Sequence, residues 1–360
     1  MIYLTKLYKK SAKTGSVQVC NISHGEENFF VEHGQLNGKL RTDQTECFST
    51  NEGRSNERSP VQQARFEAIA KHASKIKSGY VTDESGESQI YLPMKIKIYH
   101  EHIDKVTFPC DVDYKYNGIN GTFHDHQLAP TSRTYSDFPE IPHLNEDISS
   151  AMKKMGVSTL GVELYIHNTH LQLITSAVKA TKESSKQLMA IVFELPGSNL
   201  NRIGRRKMIE QIEESEYLKI AHTERAYSHE DIQRIHDESV ALGHEGVVVY
   251  NLDAMYEYNV KSNSIFKKKE ALDGENRVIS HKIDKNGAPV YICSCSEGKE
   301  VFSVIRKGTR EQRLADAAIA SSNHGKWLTI EYETLSMSGK PTKPVGLCFR
   351  DCDINGDPLV

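Results

Sequence analysis

Between residues 89 and about 270 of this 360-residue chain, short β-type runs alternate with amphipathic helix candidates; past residue 275 short strands and turns continue almost alone. That change of rhythm constrains the fold more than any other feature. The runs "IYLPMKIKI", "GVELYIH", "LMAIVFEL" and "EGVVVYN", with helices expected at 144–155, 170–188, 204–215 and 228–242, describe a mixed domain of sheets and helices over 89–272. The later runs "RVISHKI", "PVYICSC", "EVFSVIRK" and "KWLTIEYETL" have the spacing of a small β-barrel over 273–360. Residues 1–88 form a third block, with strands in "IYLTKLYKK", "SVQVCNIS" and "ENFFVEHG" and turns at Gly34 and Gly38. One helix follows, with Ser59 as N-cap, Pro60 in its first turn, apolar residues at 61, 64, 68, 69, 73 and 76, and Gly79 as its stop. The polar, acidic "TDESGES" at 82–88 reads as a linker. The expected class is a multidomain α+β protein.

Within the mixed domain, "DVDYKYNG" (111–118) stands out. As a strand it puts Val112, Tyr114 and Tyr116 on one side and Asp113 and Lys115 on the other. Gly118 and Gly121 then permit a sharp turn and a close approach of backbone to a ligand. A lysine at a strand end beside a carboxylate is either a solvated ion pair or a nucleophile, and the stretch alone leaves both open.

Composition removes other classes. With 38% hydrophobic residues the chain can bury real cores in two or three domains. It has no run of about 18 apolar residues to span a bilayer, and its N-terminal "MIYLTKLYKKSAKTG" has the wrong charge order for a secretory signal. The seven cysteines include Cys293/Cys295 and Cys348/Cys352, whose spacings are not those of a common zinc site. Reduced cysteines in a cytoplasmic setting are the expectation: a bacterial or phage-infected cell, or a nuclear or viral compartment if the source is eukaryotic. A net charge of −3 requires any nucleic-acid surface to come from local basic clusters.

Five further segments follow the lysine stretch in order: "SRT" (132–134), "GVELY" (161–165), "IVFELP" (191–196), then "HEGVVV" and "FKKK" (244–249 and 266–269). The set resembles the covalent nucleotidyltransferases, the superfamily of ATP-dependent DNA ligases, RNA ligases and mRNA capping enzymes. "GKWLTIEYETLSMSGKPTKPVGLCFRD" (325–351) is similar to the OB-fold domain that ends the DNA ligases. "YLPMKIKIYHEHIDKVTFPC" resembles the segment leading into their lysine motif. The likeness to DNA ligases spans about 90–360.

The resemblance implies three phosphoryl transfers: AMP onto a lysine, AMP onto a 5′-phosphate, and displacement of AMP by a 3′-hydroxyl. Lys115 would be the nucleophile, and an amine attacks phosphorus only after losing its proton, which Mg²⁺ with ATP and the cations Lys267 and Lys269 would favour. Asp113 would accept a hydrogen bond from the amino group of adenine, selecting ATP over GTP. Arg133 and Glu163 would engage the ribose and the neighbouring nucleic-acid backbone, and Phe193 would stack on adenine or serve as core. Glu245 would hold Mg²⁺ through hard oxygen. Lys267 and Lys269, on one face with Lys268 opposite, would hold the α-phosphate. Arg350 and Asp351 would orient the leaving pyrophosphate, which requires a mobile OB domain.

Two positions depart from the family pattern. Asn117 replaces an aspartate, and Asn120 replaces an arginine that would meet the nick. The N-terminal "FFVEHGQLNGK" and "NEGRSNERSPVQQARFEAIAKHASKIKSGY" resemble the WGR module, which contacts DNA at breaks, although His33-Gly34-Gln35 replaces its naming tripeptide. Lys9, Lys10, Lys39, Arg41, Arg54 and Arg58 would be its phosphate contacts, with Asn120 near the nick. The expected protein is a monomeric ligase of nicked double-stranded DNA using ATP and Mg²⁺. Its rivals are an RNA or RNA/DNA-hybrid ligase, a capping guanylyltransferase, and a non-catalytic nick-binding protein on a ligase fold.

Overall fold

The computed structural model describes residues 1–11, 14–86, 93–258, 260–270, 272–295 and 300–350. Asp351 and Cys352 lie outside the described residues, as do positions 87 and 88 of the expected linker.

Five antiparallel strands open the chain: β1 (Ile2–Tyr3), β2 (Leu7–Lys10), β3 (Val17–Gly25), β4 (Asn28–Gln35) and β5 (Arg41–Glu46), with β3 pairing β1, β2 and β4. Helix α1 (Pro60–Lys77) packs on β3 and β4 and contributes Ala68 to a core with Leu7, Cys20, Ile22 and Val31. A reciprocal cap starts it: Ser59 Oγ accepts from the Gln62 N–H, and the Gln62 side chain accepts from the Ser59 N–H. Gly79, at φ +90°, ends it.

The middle of the chain weaves two five-stranded sheets. One has the order β12 (Leu218–Ile220), β11 (Met189–Glu194), β10 (Thr159–Tyr165), β8 (Ile119–His124), β9 (Gln127–Ser132). The other runs β13 (Thr223–Ala226), β7 (Cys110–Lys115), β14 (Gly246–Asn251), β15 (Lys261–Lys269), β6 (Lys95–Ile98). Strand β7 lies in the second sheet and β8 in the first, so residues 116–118 carry the chain across from one to the other. Lys115 thus ends its strand at the edge of the space between the sheets. Helices α2 (Pro142–Met155), α3 (Leu171–Lys179) and α4 (Arg202–Ile209) pack on the first sheet, closing a core that includes Leu144, Leu160, Ile174 and Val192. Helix α5 (His229–Ala241) covers the second sheet through Ile232 and Ile235, capped by Ser228 Oγ, which accepts from the Asp231 N–H.

Two helix expectations need correction. The helix expected over 170–188 stops at Lys179, because Ala180 turns extended (φ −151°, ψ 139°) and the buried Ser185 hydroxyl takes the carbonyls of Ala177 and Ala180. The helix expected over 204–215 begins at Arg202, capped by Asn201, and ends at Ile209.

Strands β16 (Leu272–Ile283), β17 (Pro289–Ser294), β18 (Val301–Arg306), β19 (Trp327–Tyr332) and β20 (Val345–Arg350) close into a barrel in the order β16-β17-β18-β20-β19. Val278, Tyr291, Cys293, Val304, Leu328 and Ile330 fill it. The short helix α6 (Arg310–Ala315) was not expected, although Thr309 and Gln312 spell its capping box.

Candidate active site

A cavity of about 580 Å³ lies between the two central sheets and is overhung by the barrel. Register builds its charged wall. Gly246 on β14 pairs with Lys115 on one side and Lys269 on the other; two residues along, Val248 pairs with Asp113 and Lys267. Side chains two apart share a face, so the two lysine-bearing strands present Lys115, Lys269, Asp113 and Lys267 to one space. Lys268 points away, donating to Gln233 and lying 5.3 Å from the Tyr99 ring. The centre of the row must be glycine: a Cβ on Gly246 would fall 2.2 Å from the Lys268 carbonyl, at φ +133°.

Glu245 bridges this wall. Its Oε2 accepts from Lys115 Nζ and its Oε1 from Lys269 Nζ. Burial opposes its ionisation, but the two ammonium groups outweigh that and hold the carboxyl below its ordinary range. Lys267 is pushed down, first by burial and then by repulsion from Lys269.

The turn after Lys115 is tight for a physical reason. A Cβ on Gly118 would fall 2.5 Å from the Leu164 carbonyl, and its N–H instead donates to Glu163 Oε1 at 3.2 Å. Glu163 pairs across the strands with Asn120, whose buried Oδ1 has no partner. Burial pushes the Glu163 carboxyl up to about 7, with Glu245 adding to the rise and Lys115 and Arg133 working against it. Asn117, Asn120 and Arg133 line the cavity on this side.

The rest of the cavity is more apolar, with Asp113 among its polar groups. Val248, Tyr250 and Ile265 form a small buried cluster with Met94 and Ile96, and all five line the cavity. Phe193 lines it too while packing on the main core, so the stacking and core readings of this residue are compatible. Asp113 is 2% exposed. Its Oδ1 accepts from Arg202 Nη2 at 2.5 Å and Thr223 Oγ1 at 2.7 Å, while Oδ2 is buried without a partner.

Arg350 is not brought to the cavity; at the far end of β20 its guanidinium donates to Glu275 at 3.0 Å and Thr329 at 3.1 Å. The barrel instead contributes residues from the loop between β19 and β20. Glu333 lies 3.5 Å from Lys269 and 2.7 Å from Lys343, and both Glu333 and Lys343 line the cavity. Neither was foreseen from the sequence, and nor was Arg202, since nothing in "LNRIGRRK" marks Arg202 and Arg205 as the buried arginines. Among the N-terminal cations, Lys9 is partly buried, donating to the Ser78 carbonyl at 2.6 Å. Arg41 pairs with Asp43 at 3.0 Å, and Arg58 sits 3.9 Å over the Phe66 ring. Lys10, Lys39 and Arg54 are exposed.

Comparisons with known proteins bear on the same region. The family model of the ATP dependent DNA ligase domain matches residues 92–269, the stretch that carries the whole lysine–glutamate wall. A structure of a Lig E DNA ligase superposes with a TM-score of 0.60 at 17% identity, covering 72% of this chain and 100% of that one. A second, Pmar-Lig_PreS3, gives a TM-score of 0.61 at 17% identity, covering 81% and 73% respectively. At such identity these neighbours speak to the fold. A search of curated proteins returned no match. The family model thus places residues 92–269 of this chain in the ATP-dependent DNA ligase domain family.

Proposed function

We propose that the chain is an ATP-dependent DNA ligase that seals 5′-phosphate/3′-hydroxyl nicks through AMP carried on Lys115. The observation that carries this reading is the row Lys115–Glu245–Lys269 at one wall of a cavity whose other end offers Phe193 and an unpartnered Asp113 oxygen. Triphosphate charge suits the lysine wall, and a purine suits the apolar lining around Phe193 with Asp113 as a polar contact.

In the first step Lys115 Nζ forms a bond to the α-phosphorus of ATP as the α–β phosphoanhydride bond breaks and pyrophosphate leaves. An oxygen of the 5′-phosphate then displaces the lysine from AMP. Finally the 3′-hydroxyl attacks that 5′-phosphorus, AMP departs and the phosphodiester is complete. Lys267 and Lys269 hold the transferring phosphoryl group, and Glu163, with Arg133, orients the ribose. Mg²⁺ fits the donor set. Among the described residues no cluster of three His, Cys, Asp or Glu side chains forms a protein cage, and Glu245 supplies one carboxylate beside the phosphate wall. When bound it would offset phosphate charge during transfer.

Arg350 and Asp351, read as pyrophosphate-orienting residues on an OB fold, need the barrel to turn. That motion would break Lys269–Glu333, the His170–Leu335 carbonyl contact at 2.8 Å, and the Met337 N–H contact to Gln172 at 3.2 Å. The N-terminal sheet and helix, read as WGR-like, would add phosphate contacts through Lys9, Lys10, Lys39, Arg41, Arg54 and Arg58, each leaving any internal partner it has.

The test is incubation with α-labelled ATP and Mg²⁺ followed by a denaturing gel, together with sealing of a nicked duplex. Wild type should carry acid-labile label and Lys115→Ala should carry none. Label persisting on Lys115→Ala removes the nucleophile assignment. Label without sealing of DNA removes the substrate assignment.

A further inference from the structure

Arg202 begins α4 and is fully buried at 0% exposure, yet the chemistry above gives it no task. A buried guanidinium is retained only when its donors are satisfied, and here they are spent on the nucleotide end of the cavity. Nη2 reaches Asp113 Oδ1 at 2.5 Å, Nε reaches Asp111 Oδ2 at 3.2 Å, and Nη1 reaches the Phe193 carbonyl at 3.4 Å. The guanidinium plane lies 4.0 Å from the Tyr250 ring, which lines the same cavity. Asp111 is in turn held by Arg225 at 2.8 Å, so two cations balance two carboxylates.

We propose that Arg202 is a positioning residue that sets base specificity. By gripping Asp113 Oδ1 and the Phe193 carbonyl together, it aims Asp113 Oδ2 at the exocyclic amino group of a purine stacked on Phe193. The inference rests on the reading of Asp113 as the amino-group acceptor.

An ionised carboxylate only accepts hydrogen bonds, so it welcomes the amino group of adenine and rejects the carbonyl of guanine. A protonated carboxyl can donate to that carbonyl and loses the distinction. Asp113 is disposed to protonate, because burial pushes its carboxyl up, and Arg202 is the strongest influence opposing the rise. Removing Arg202 therefore relaxes selectivity in two ways: it lets Asp113 pick up a proton, and it frees the carboxyl and the Phe193 backbone to shift relative to each other.

The experiment compares label transfer to the protein from ATP, GTP and purine riboside triphosphate, which lacks the amino group, for wild type, Arg202→Gln and Arg202→Lys. Circular dichroism verifies that each variant is folded. Arg202→Gln is expected to lose about tenfold or more of the ATP-over-GTP preference, since a pocket built around one hydrogen bond discriminates mainly through it. Its remaining preference should rise with pH as Asp113 ionises, and more steeply than that of wild type, because Arg202 no longer opposes the upward push of burial. The KM for ATP should rise more than kcat falls.

Lysine keeps the charge but cannot span both carboxylates and the carbonyl. Arg202→Lys should therefore fall between wild type and Arg202→Gln, and it decides the matter if Arg202→Gln does not fold. A folded variant of either kind with the wild-type preference at every pH overturns the role of Arg202. Equal labelling of wild type by ATP and purine riboside triphosphate is a different failure: it removes Asp113 as the amino-group acceptor, and the inference falls with it.

Discussion

Glu163→Gln is the most quantitative probe of the cavity. In the folded chain the Glu163 carboxyl is pushed from 4.5 to about 7, chiefly by burial. The unfolded chain releases this proton near 4.5, so between these values the native state holds a proton that the unfolded state has released. Stability from this group is thus fully present below pH 4.5 and is lost as pH rises through about 7. A gap of about 2.5 units at 1.36 kcal/mol each amounts to about 3 kcal/mol, an upper figure because Glu163 is not wholly enclosed. Glutamine never ionises and keeps an oxygen for the Gly118 N–H, which donates to Glu163 Oε1 at 3.2 Å. Urea unfolding of both proteins should give similar stabilities near pH 4 and a Glu163→Gln advantage approaching about 3 kcal/mol near pH 8. A difference that does not change with pH refutes the reasoning, because an ordinary exposed glutamate would behave so. The same substitution should flatten any rise in ATP affinity as pH passes through 7, if the carboxylate is what the ribose meets.

Glu245→Gln removes the anion that ties Lys115 to Lys269, and should slow adduct formation about 10- to 100-fold with partial recovery at high Mg²⁺; an unchanged metal titration with full activity would return Glu245 to a structural role. Gly246→Ala places a methyl 2.2 Å from the Lys268 carbonyl at φ +133°, and should cost about 3 kcal/mol or more. A thermal midpoint within a degree or two of wild type would show that the β7–β14–β15 register is not as described. Deleting residues 1–88 should leave adduct formation nearly intact while flattening the salt dependence of nick binding by about one unit of log slope for each phosphate the block neutralises. Equal slopes with and without the block would remove it from the DNA interface, and failure of adduct formation would show that it supports the core.

Much of this site could be read along the chain. The alternation in "DVDYKYNG" put Asp113 and Lys115 on one face, and the same rule applied to "FKKK" separated Lys268 from Lys267 and Lys269; the strands obey it. The caps at Ser59 and Ser228 mark α1 and α5 correctly, because capping is a contact between residues three positions apart. The α3 boundary escaped for the opposite reason: what ends that helix is the Ser185 hydroxyl reaching back to Ala177 and Ala180, a competition that helical periodicity does not register.

By itself, then, the sequence determined the strand faces, the starts of α1 and α5, and the glycine turn after Lys115. All of these depend on neighbours within a few residues, and backbone periodicity carries them. The tertiary structure alone decided that Glu245 locks Lys115 to Lys269, that Glu333 and Lys343 enter from the barrel while Arg350 lies away from the cavity, and that Arg202 holds Asp113. These contacts join residues as far apart as the 130 positions between Lys115 and Glu245. Their strength comes from excluding water, and how far water is excluded at any one charge is settled only when all the strands and helices around it have packed.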